Sequence, residues 1–414
     1  MKKLFSIFTL VFKKEKALTV LLLGQFFLQI GYFSLIPFLS IYLTKLDISE
    51  AMVGIILASR SLSYLVGLIL SGSLVKQFSP KKIMVFGMLG TGIGYSLLSL
   101  AYNEYSFFIV LFILGLFNGL AYPGESILLV ENTTQENRAE IFGLIRTLIN
   151  LAAAVAPLIS INFFQKWPYI TFLVAGCIYI FYAVSSYCWI PDQFEKPEQN
   201  TTILTELRSY YDVIKDRSFF LLILGLTLPT ISYFCLETTL PMHLNKIVNN
   251  STYWFGFILT MNTVMIIAFQ VIISRLCKTI GFIKSTLFGQ LIYATSFIIL
   301  GLTKEIEAIV LAIALFTIGE MLISPSSNML IVDNSRKGEM AKYLAFGKLR
   351  LFIALPLSSL IGGYILDLFG GALMMYTYAV LALLGSVIIY VVRSQIRDSS
   401  LNNNISNHSK TLNS

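Results

Sequence analysis

The chain has 414 residues, 56% of them hydrophobic and only 13% charged, with a net charge of +8 and a mean hydropathy of +0.77. A soluble domain carries about 25% charged residues, so this supply cannot clothe a water-facing surface, and a soluble enzyme is excluded. Four cysteines (Cys177, Cys188, Cys235 and Cys277) have no CxxC spacing, which indicates neither a disulfide framework nor a metal site.

Taken in order, the chain opens with a basic, aromatic leader over residues 1–16, KKLFSIFTLVFKKEK at its heart. Such a segment either lies as an interfacial helix on an anionic membrane face or is a solvated leader. The first apolar run, from Ala17 to Tyr42, is too long for a signal-peptide core and stays as a membrane helix. Apolar runs long enough to cross about 30 Å of hydrocarbon as helices then recur throughout. They fall near 17–44, 51–75, 83–101, 106–130, 139–163, 169–190, 219–245, 252–274, 285–302, 306–332, 342–366 and 371–392. The reading is an all-α integral membrane protein with twelve transmembrane helices in two six-helix pseudo-repeats, 17–190 and 219–392. A cytoplasmic linker over 191–218, helical in part from Leu204 to Ile214, joins them, and an Asn- and Ser-rich tail over 393–414 is expected to be disordered.

The duplication is written in the residues. GLFNGLAYPGESILLVENTTQENRAEIFGLIR returns as TIGEMLISPSSNMLIVDNSRKGEMAKYLAFGKLR, so that Pro123 answers to Pro325 and Arg146 to Arg350. Pro37 likewise answers to Pro241, Gly54 to Gly256, and Arg60 falls opposite Asn262. Outer loops hold only Lys45, Lys166, Lys246 and Lys304, and Arg60, Arg146, Lys348 and Arg350 lie inside spans, leaving 22 of the 30 basic residues on the side of the N-terminus. That bias puts both termini in the cytoplasm of a multi-pass cell-membrane protein, and it turns the positive charge towards lipid headgroups rather than nucleic acid. Six helices repeated in one sense place a substrate site near the midplane between the repeats.

GYFSLIPFLSIYL in the first span, AMVGIILASRS opening the second and TIGEMLISPSSNML in the tenth resemble a major facilitator superfamily transporter of the twelve-helix drug:proton antiporter branch. The resemblance runs over 17–392 and implies the major facilitator fold and transport rather than catalysis. Its signature loop, of the form G-x-L-a-D-r-x-G-r-k, stands here as GSLVKQFSPKK, in which Gly72, Leu74, Lys81 and Lys82 match. Lys76 takes the acidic position and Ser79 the second glycine, so the acid that serves the family's cytoplasmic gate is missing. The fourth-span arginine is Gly115 here, with Asn118 and Gly119 retained, and the fifth-span antiporter motif survives as Ala152, Ala156, Pro157 and Ser160.

Charge inside a bilayer costs about 2.5–3.5 kcal/mol on insertion scales, so the intramembrane acids and bases are the candidate site. Glu320 sits halfway along the tenth span, where desolvation favours a carboxyl's protonated form. It either exchanges that proton for substrate or makes a structural hydrogen bond. Glu237, four residues before Pro241, either faces a cavity or snorkels outward. Glu125 and Arg146 stand at matched depth on adjacent spans and are expected to pair, statically or as a contact broken during transport. Arg350 has Ser327 where the repeat would supply an acid, which leaves Asp333 or Glu320 as partners. Arg60 meets an anionic substrate group, Glu237 or backbone carbonyls. Gln25, Gln29, Tyr32, Phe33, Asn118, Tyr233 and Asn262 are further cavity candidates, and Gly72, Lys81 and Lys82 belong to the gate loop. Gly90, Gly92 and Gly94 in the third span permit close helix approach.

These residues contain no catalytic constellation: His243 is the sole histidine before the tail, and no GxxxxGK[ST] loop offers ATP a site. No cofactor is called for. The expectation is a monomeric secondary transporter whose partners are a small-molecule substrate, protons and the lipid bilayer. Proton-coupled efflux of lipophilic small molecules leads, with a specific exporter or importer of one polar metabolite or peptide-like natural product as the alternative.

Overall fold

A computed structural model describes residues 16–75, 77–164, 166–192, 213–336 and 338–398. The leader before Lys16, Lys76 of the gate loop, the linker over 193–212 and the tail beyond 398 lie outside the described residues. Six helices form the first half: α1 (Lys16–Lys45), α2 (Glu50–Leu74), α3 (Pro80–Leu97), α4 (Glu104–Glu131), α5 (Arg138–Phe163) and α6 (Pro168–Trp189). Six more form the second: α7 (Arg217–Thr238), α8 (Ser251–Ile280), α9 (Phe282–Leu302), α10 (Ile306–Asp333), α11 (Met340–Phe369) and α12 (Gly371–Val392). All 12 are long and apolar enough to cross a membrane, and no strand occurs among the described residues. A helix satisfies its own backbone hydrogen bonds, which is why it is the element that an apolar medium permits.

The seventh span departs from its expected course to 245. It stops at Thr238, and after Thr239 a separate two-turn helix runs over Leu240–Ile247. Pro241 removes the backbone donor that would bond the Glu237 carbonyl, and Thr239 turns its hydroxyl to Cys235 Sγ at 3.3 Å and the Tyr378 hydroxyl at 3.0 Å. Pro37, its repeat mate, leaves α1 unbroken. There the Ser160 hydroxyl of α5 donates to the Ser34 carbonyl at 2.6 Å, tying the proline-bearing turn to its neighbour.

The chain divides into two compact units, residues 1–48 with 55–203 and residues 49–54 with 204–414. In the first, α3 packs on α4 and α6, and α1 on α5 and α6. Between α3 and α6 the contact is backbone to backbone: a Cβ on Gly176 would stand 2.7 Å from the Gly92 carbonyl oxygen, and one on Gly92 would stand 2.9 Å from that of Gly176. Small residues thus replace the hydrophobic drive that lipid cannot supply between helices. In the second unit α9 packs on α10 and α12, and α7 on α11 and α12. Gly281 (φ 105) and Gly370 (φ 82) turn the chain between α8 and α9 and between α11 and α12, in a region that glycine alone enters freely.

The opening turn of α2 groups with the second unit, where Glu50 pairs with Lys246 at 2.8 Å. The tail's first residues are held as well. The Arg397 N–H donates to Asn334 Oδ1 at 2.8 Å, Asn334 Nδ2 returns a bond to the Arg397 carbonyl at 3.0 Å, and Asp398 Oδ2 accepts from the Ile283 N–H at 2.9 Å. The disorder expected from 393 therefore does not extend to residues 394–398.

Two tests follow from this packing. Gly176→Val should lower the melting temperature sharply and deplete folded protein, while Gly72→Ala, where a Cβ meets nothing within 4 Å, should leave both unchanged. His243 is buried outside the spans, and burial, then the charges of Lys246 and Lys304, hold its imidazole down from 6.5 to about 4. The unfolded chain takes up that proton first, so stability should fall by up to about 1.4 kcal/mol per pH unit between pH ~6.5 and ~4. His243→Gln should flatten the slope in a pH series of melting curves.

Candidate functional site

Each unit carries a polar cluster built on an intramembrane acid, buried in the first and half-buried in the second. In the first, Glu125 projects from α4 about two turns before its C-terminal end and is 4% exposed. The Tyr182 hydroxyl of α6 donates to its Oε1 at 2.6 Å, and Gln25 of α1 supplies a second hydrogen bond. Gly24 makes room for this, because a Cβ there would collide with the Tyr182 ring. Arg146 is not the partner: its side chain is exposed on α5 while Glu125 is closed off by a phenol and an amide. Matched depth along two helices fixes height but not rotation about the axis, and the rotation turns these two charges apart.

Arg60 of α2 lies over the Tyr32 ring, 5.3 Å from its centroid, with Tyr95 and Tyr179 close by and their own rings 5.0 Å apart. A cation on an aromatic face gains about 2 kcal/mol or more when desolvated, which holds the guanidinium without a carboxylate. Phe33 meets Tyr32 edge-on at 5.1 Å, and Gln29 and Asn118 are half-buried on α1 and α4. In the gate loop, Lys82 reaches Asp192 beyond α6 at 3.7 Å, and Lys81 lies over the Tyr187 ring at 5.1 Å. Lys82, a basic position that matches the signature, thus carries an ion pair near the end of α6.

The second cluster centres on Glu320 of α10. Asn262 Nδ2 of α8 donates to Glu320 Oε2 at 3.0 Å and also to Thr317 Oγ1 at 3.0 Å, and Tyr233 of α7 supplies a further hydrogen bond. Thr317 in turn donates to the Ile313 carbonyl at 2.8 Å, so the amide is held by the helix it bridges to. Phe316 is stacked face to face with Tyr293 (4.4 Å, 1°) and with Tyr233 (6.1 Å, 15°), which fixes both phenols beside the acid. Glu237, one turn along α7 from Tyr233, is half-buried and close enough to interact electrostatically with Glu320.

Glu320, Tyr233 and Tyr293 open on a cavity of about 200 Å³, walled also by Thr230, Ser324, Ser327 and Arg350. Arg350 of α11 is 9% exposed, and its buried Nε has no hydrogen-bond partner among the described residues. Asn262, Tyr233 and Glu320 are thus brought together as the residues suggested, whereas Tyr182, Tyr293 and Thr317 were not legible as site residues. Aromatics are too common in this chain to single out, and only the spacing of Thr317 to Glu320 along one helix offered a signal.

Twelve spans in two six-helix units, with an intramembrane acid in each, define a multi-pass membrane protein with the organisation of a transporter. The chain belongs to the Major Facilitator Superfamily, whose family model matches residues 21–355 and 255–412. It is 26% identical to the uncharacterised MFS-type transporter YqjV of Bacillus subtilis over 374 residues, 87% of this chain and 89% of the relative. A Na(+), Li(+), K(+)/H(+) antiporter of Planococcus maritimus is 21% identical over 371 residues (82% and 87%), and the multidrug resistance protein MdtH of Salmonella arizonae 23% over 358 (84% and 87%). Among solved structures the nucleoside transporter NupG superposes with a TM-score of 0.76 at 11% identity, covering 91% of this chain and 99% of that one. A peptide transporter POT in complex with sulfate gives 0.74 at 15%, covering 92% and 94%. At such identities the likeness is one of fold.

The first cluster generates a direct test. A hydrogen bond to a charged group is worth about 1.5–3 kcal/mol, so Tyr182→Phe should destabilise the purified protein by about that much, and Arg146→Gln by less than about 0.5 kcal/mol. In a cycle of Tyr182→Phe with Glu125→Gln, denaturation midpoints should be clearly non-additive; additivity there, or coupling of Glu125 to Arg146 instead, contradicts the assignment.

Proposed function

We propose that the protein is a secondary active exporter of the cell membrane, with both termini cytoplasmic, that moves small molecules outward in exchange for protons entering. Glu320 is the coupling carboxyl in this reading. The observation that carries it is a single acid, mid-helix, held by an amide and a phenol and opening on a cavity large enough for a ligand. An acid so placed takes a proton when the cavity faces outward and, when it faces the cytoplasm, releases that proton there as substrate displaces it, as alternating access requires. Each proton moving inward supplies about 2.3 kcal/mol per 100 mV of membrane potential, enough to drive export uphill. The names of two relatives, a cation/proton antiporter and a multidrug resistance protein, support antiport as the mode.

Two substrate classes fit this scheme. Lipophilic small molecules are the leading one, supported by Tyr233, Tyr293, Ile323 and Leu351 on the cavity wall. A specific carrier of one polar metabolite is the second, favoured by Arg350 and three hydroxyl side chains on the same wall. A bare metal cation fits poorly, since it would share about 200 Å³ with a guanidinium.

Glu320→Gln keeps the shape and the hydrogen-bonding capacity but cannot release a proton. In everted membrane vesicles it should abolish uphill transport under an imposed pH gradient while sparing downhill exchange. If the variant concentrates substrate as the wild type does, Glu320 is structural and the coupling passes to Glu237 or Glu125.

A further inference from the structure

We propose that the molecule carried is a small zwitterion of amino-acid size, its anionic group held by Arg350 and its ammonium group directed to Glu320. The inference rests on the reading of Glu320 as the coupling carboxyl and, of the two substrate classes, takes the polar metabolite over the lipophilic molecule because of Arg350. Other charges within the helices have protein groups to meet them: Glu125 has Tyr182 and Gln25, Glu320 has Asn262 and Tyr233, and Arg60 has a cage of tyrosines. Arg350 is more than nine-tenths buried and lines the cavity that Glu320 lines, and among the described residues its Nε, like that of Arg60, is without a hydrogen-bond partner. Unlike Arg60, it has no aromatic face against it among the described residues and stands in a cavity wall.

A guanidinium offers a planar fork of N–H donors that fits a carboxylate two oxygens at a time, and a buried donor left unmade is costly. A ligand carboxylate placed in the cavity would complete what the protein leaves open. The same cavity presents Glu320, so a ligand anchored through its anion carries its cationic end to the one group whose proton it must displace. Size argues in the same direction. About 200 Å³ lies below the roughly 300–1,000 Å³ of pockets that enclose drug-sized ligands, and the walls alternate phenols and aliphatic carbons with hydroxyls. The repeat adds contrast, because the mate of Arg350 is Arg146, which is exposed on α5 where Arg350 is buried.

The test works whatever the natural substrate is. Purified full-length protein is titrated with a panel of L-amino acids, their carboxamides and their desamino analogues, with L-phenylalanine, L-phenylalaninamide and 3-phenylpropanoate as one matched trio. Binding is read from ligand-induced shifts in melting temperature and in tryptophan fluorescence. At least one zwitterion should bind the wild type about tenfold or more tighter than its carboxamide and than its desamino acid. Arg350→Gln should weaken that zwitterion about tenfold, leave the carboxamide within about twofold, and so erase the preference; Arg350→Lys should restore part of it. Equal binding of acid and carboxamide by the wild type, binding of no acid in the panel, or equal weakening of both by Arg350→Gln overturns the assignment. The wild-type comparison decides the matter even where a variant fails to fold. The two readings also fail separately: Glu320→Gln that transports uphill like the wild type, with the acid-over-carboxamide preference intact, removes the coupling role and upholds the anion site.

Discussion

Everything in this molecule turns on what it costs to hold a charge in hydrocarbon. An ionised side chain at bilayer depth is unfavourable by several kcal/mol unless something answers it, and the helices cannot borrow water for the purpose. The structure answers each charge in its own way. Glu125 is closed off by a phenol and an amide, Arg60 rests on an aromatic face, and Glu320 is bridged by an amide and a second phenol. Of the two arginines whose Nε has no hydrogen-bond partner among the described residues, Arg60 and Arg350, it is Arg350 that stands in the cavity wall beside Glu320. Where the protein satisfies a charge internally it builds structure; where it leaves one facing a void it leaves work for a ligand.

The helix packing is arranged to make those answers possible. Gly24 admits the Tyr182 ring close enough to α1 for its hydroxyl to reach Glu125. Stacking of Tyr233 and Tyr293 on Phe316 sets two phenols beside Glu320. Because lipid gives helices no hydrophobic reason to associate with one another, such close, small-residue contacts carry both the stability of each unit and the placement of its polar groups. The two units share a plan and differ in polarity. Asn262 holds Glu320 in the second unit, and its repeat mate in the first is Arg60, which is held by tyrosines instead. Duplication kept the positions and exchanged the chemistry.

Much of the fold was legible because hydropathy is a one-dimensional signal: twelve spans in two sets of six follow from composition along the chain. The break at Thr239 was not, although Pro241 was in view, because its mate Pro37 sits inside an intact helix. What separates them is a tertiary hydrogen bond at Ser34 in one case and a turned threonine at 239 in the other. The site was legible in its charges and illegible in their partners. Depth along a helix can be counted from sequence, so Glu125 and Arg146 looked paired, but the azimuth that separates them is set by packing. Tyrosine in a chain with 21 of them carries no signal until neighbours are known.

The central claim is that a proton and a substrate compete for one carboxyl in the second unit. Its most direct measurement is proton release on substrate binding, followed with a pH dye in weakly buffered detergent solution of the purified protein. The account predicts that adding a transported zwitterion releases close to one proton per bound molecule from the wild type, and none from Glu320→Gln. Release that persists in Glu320→Gln, or binding by the wild type with no proton released, would contradict it.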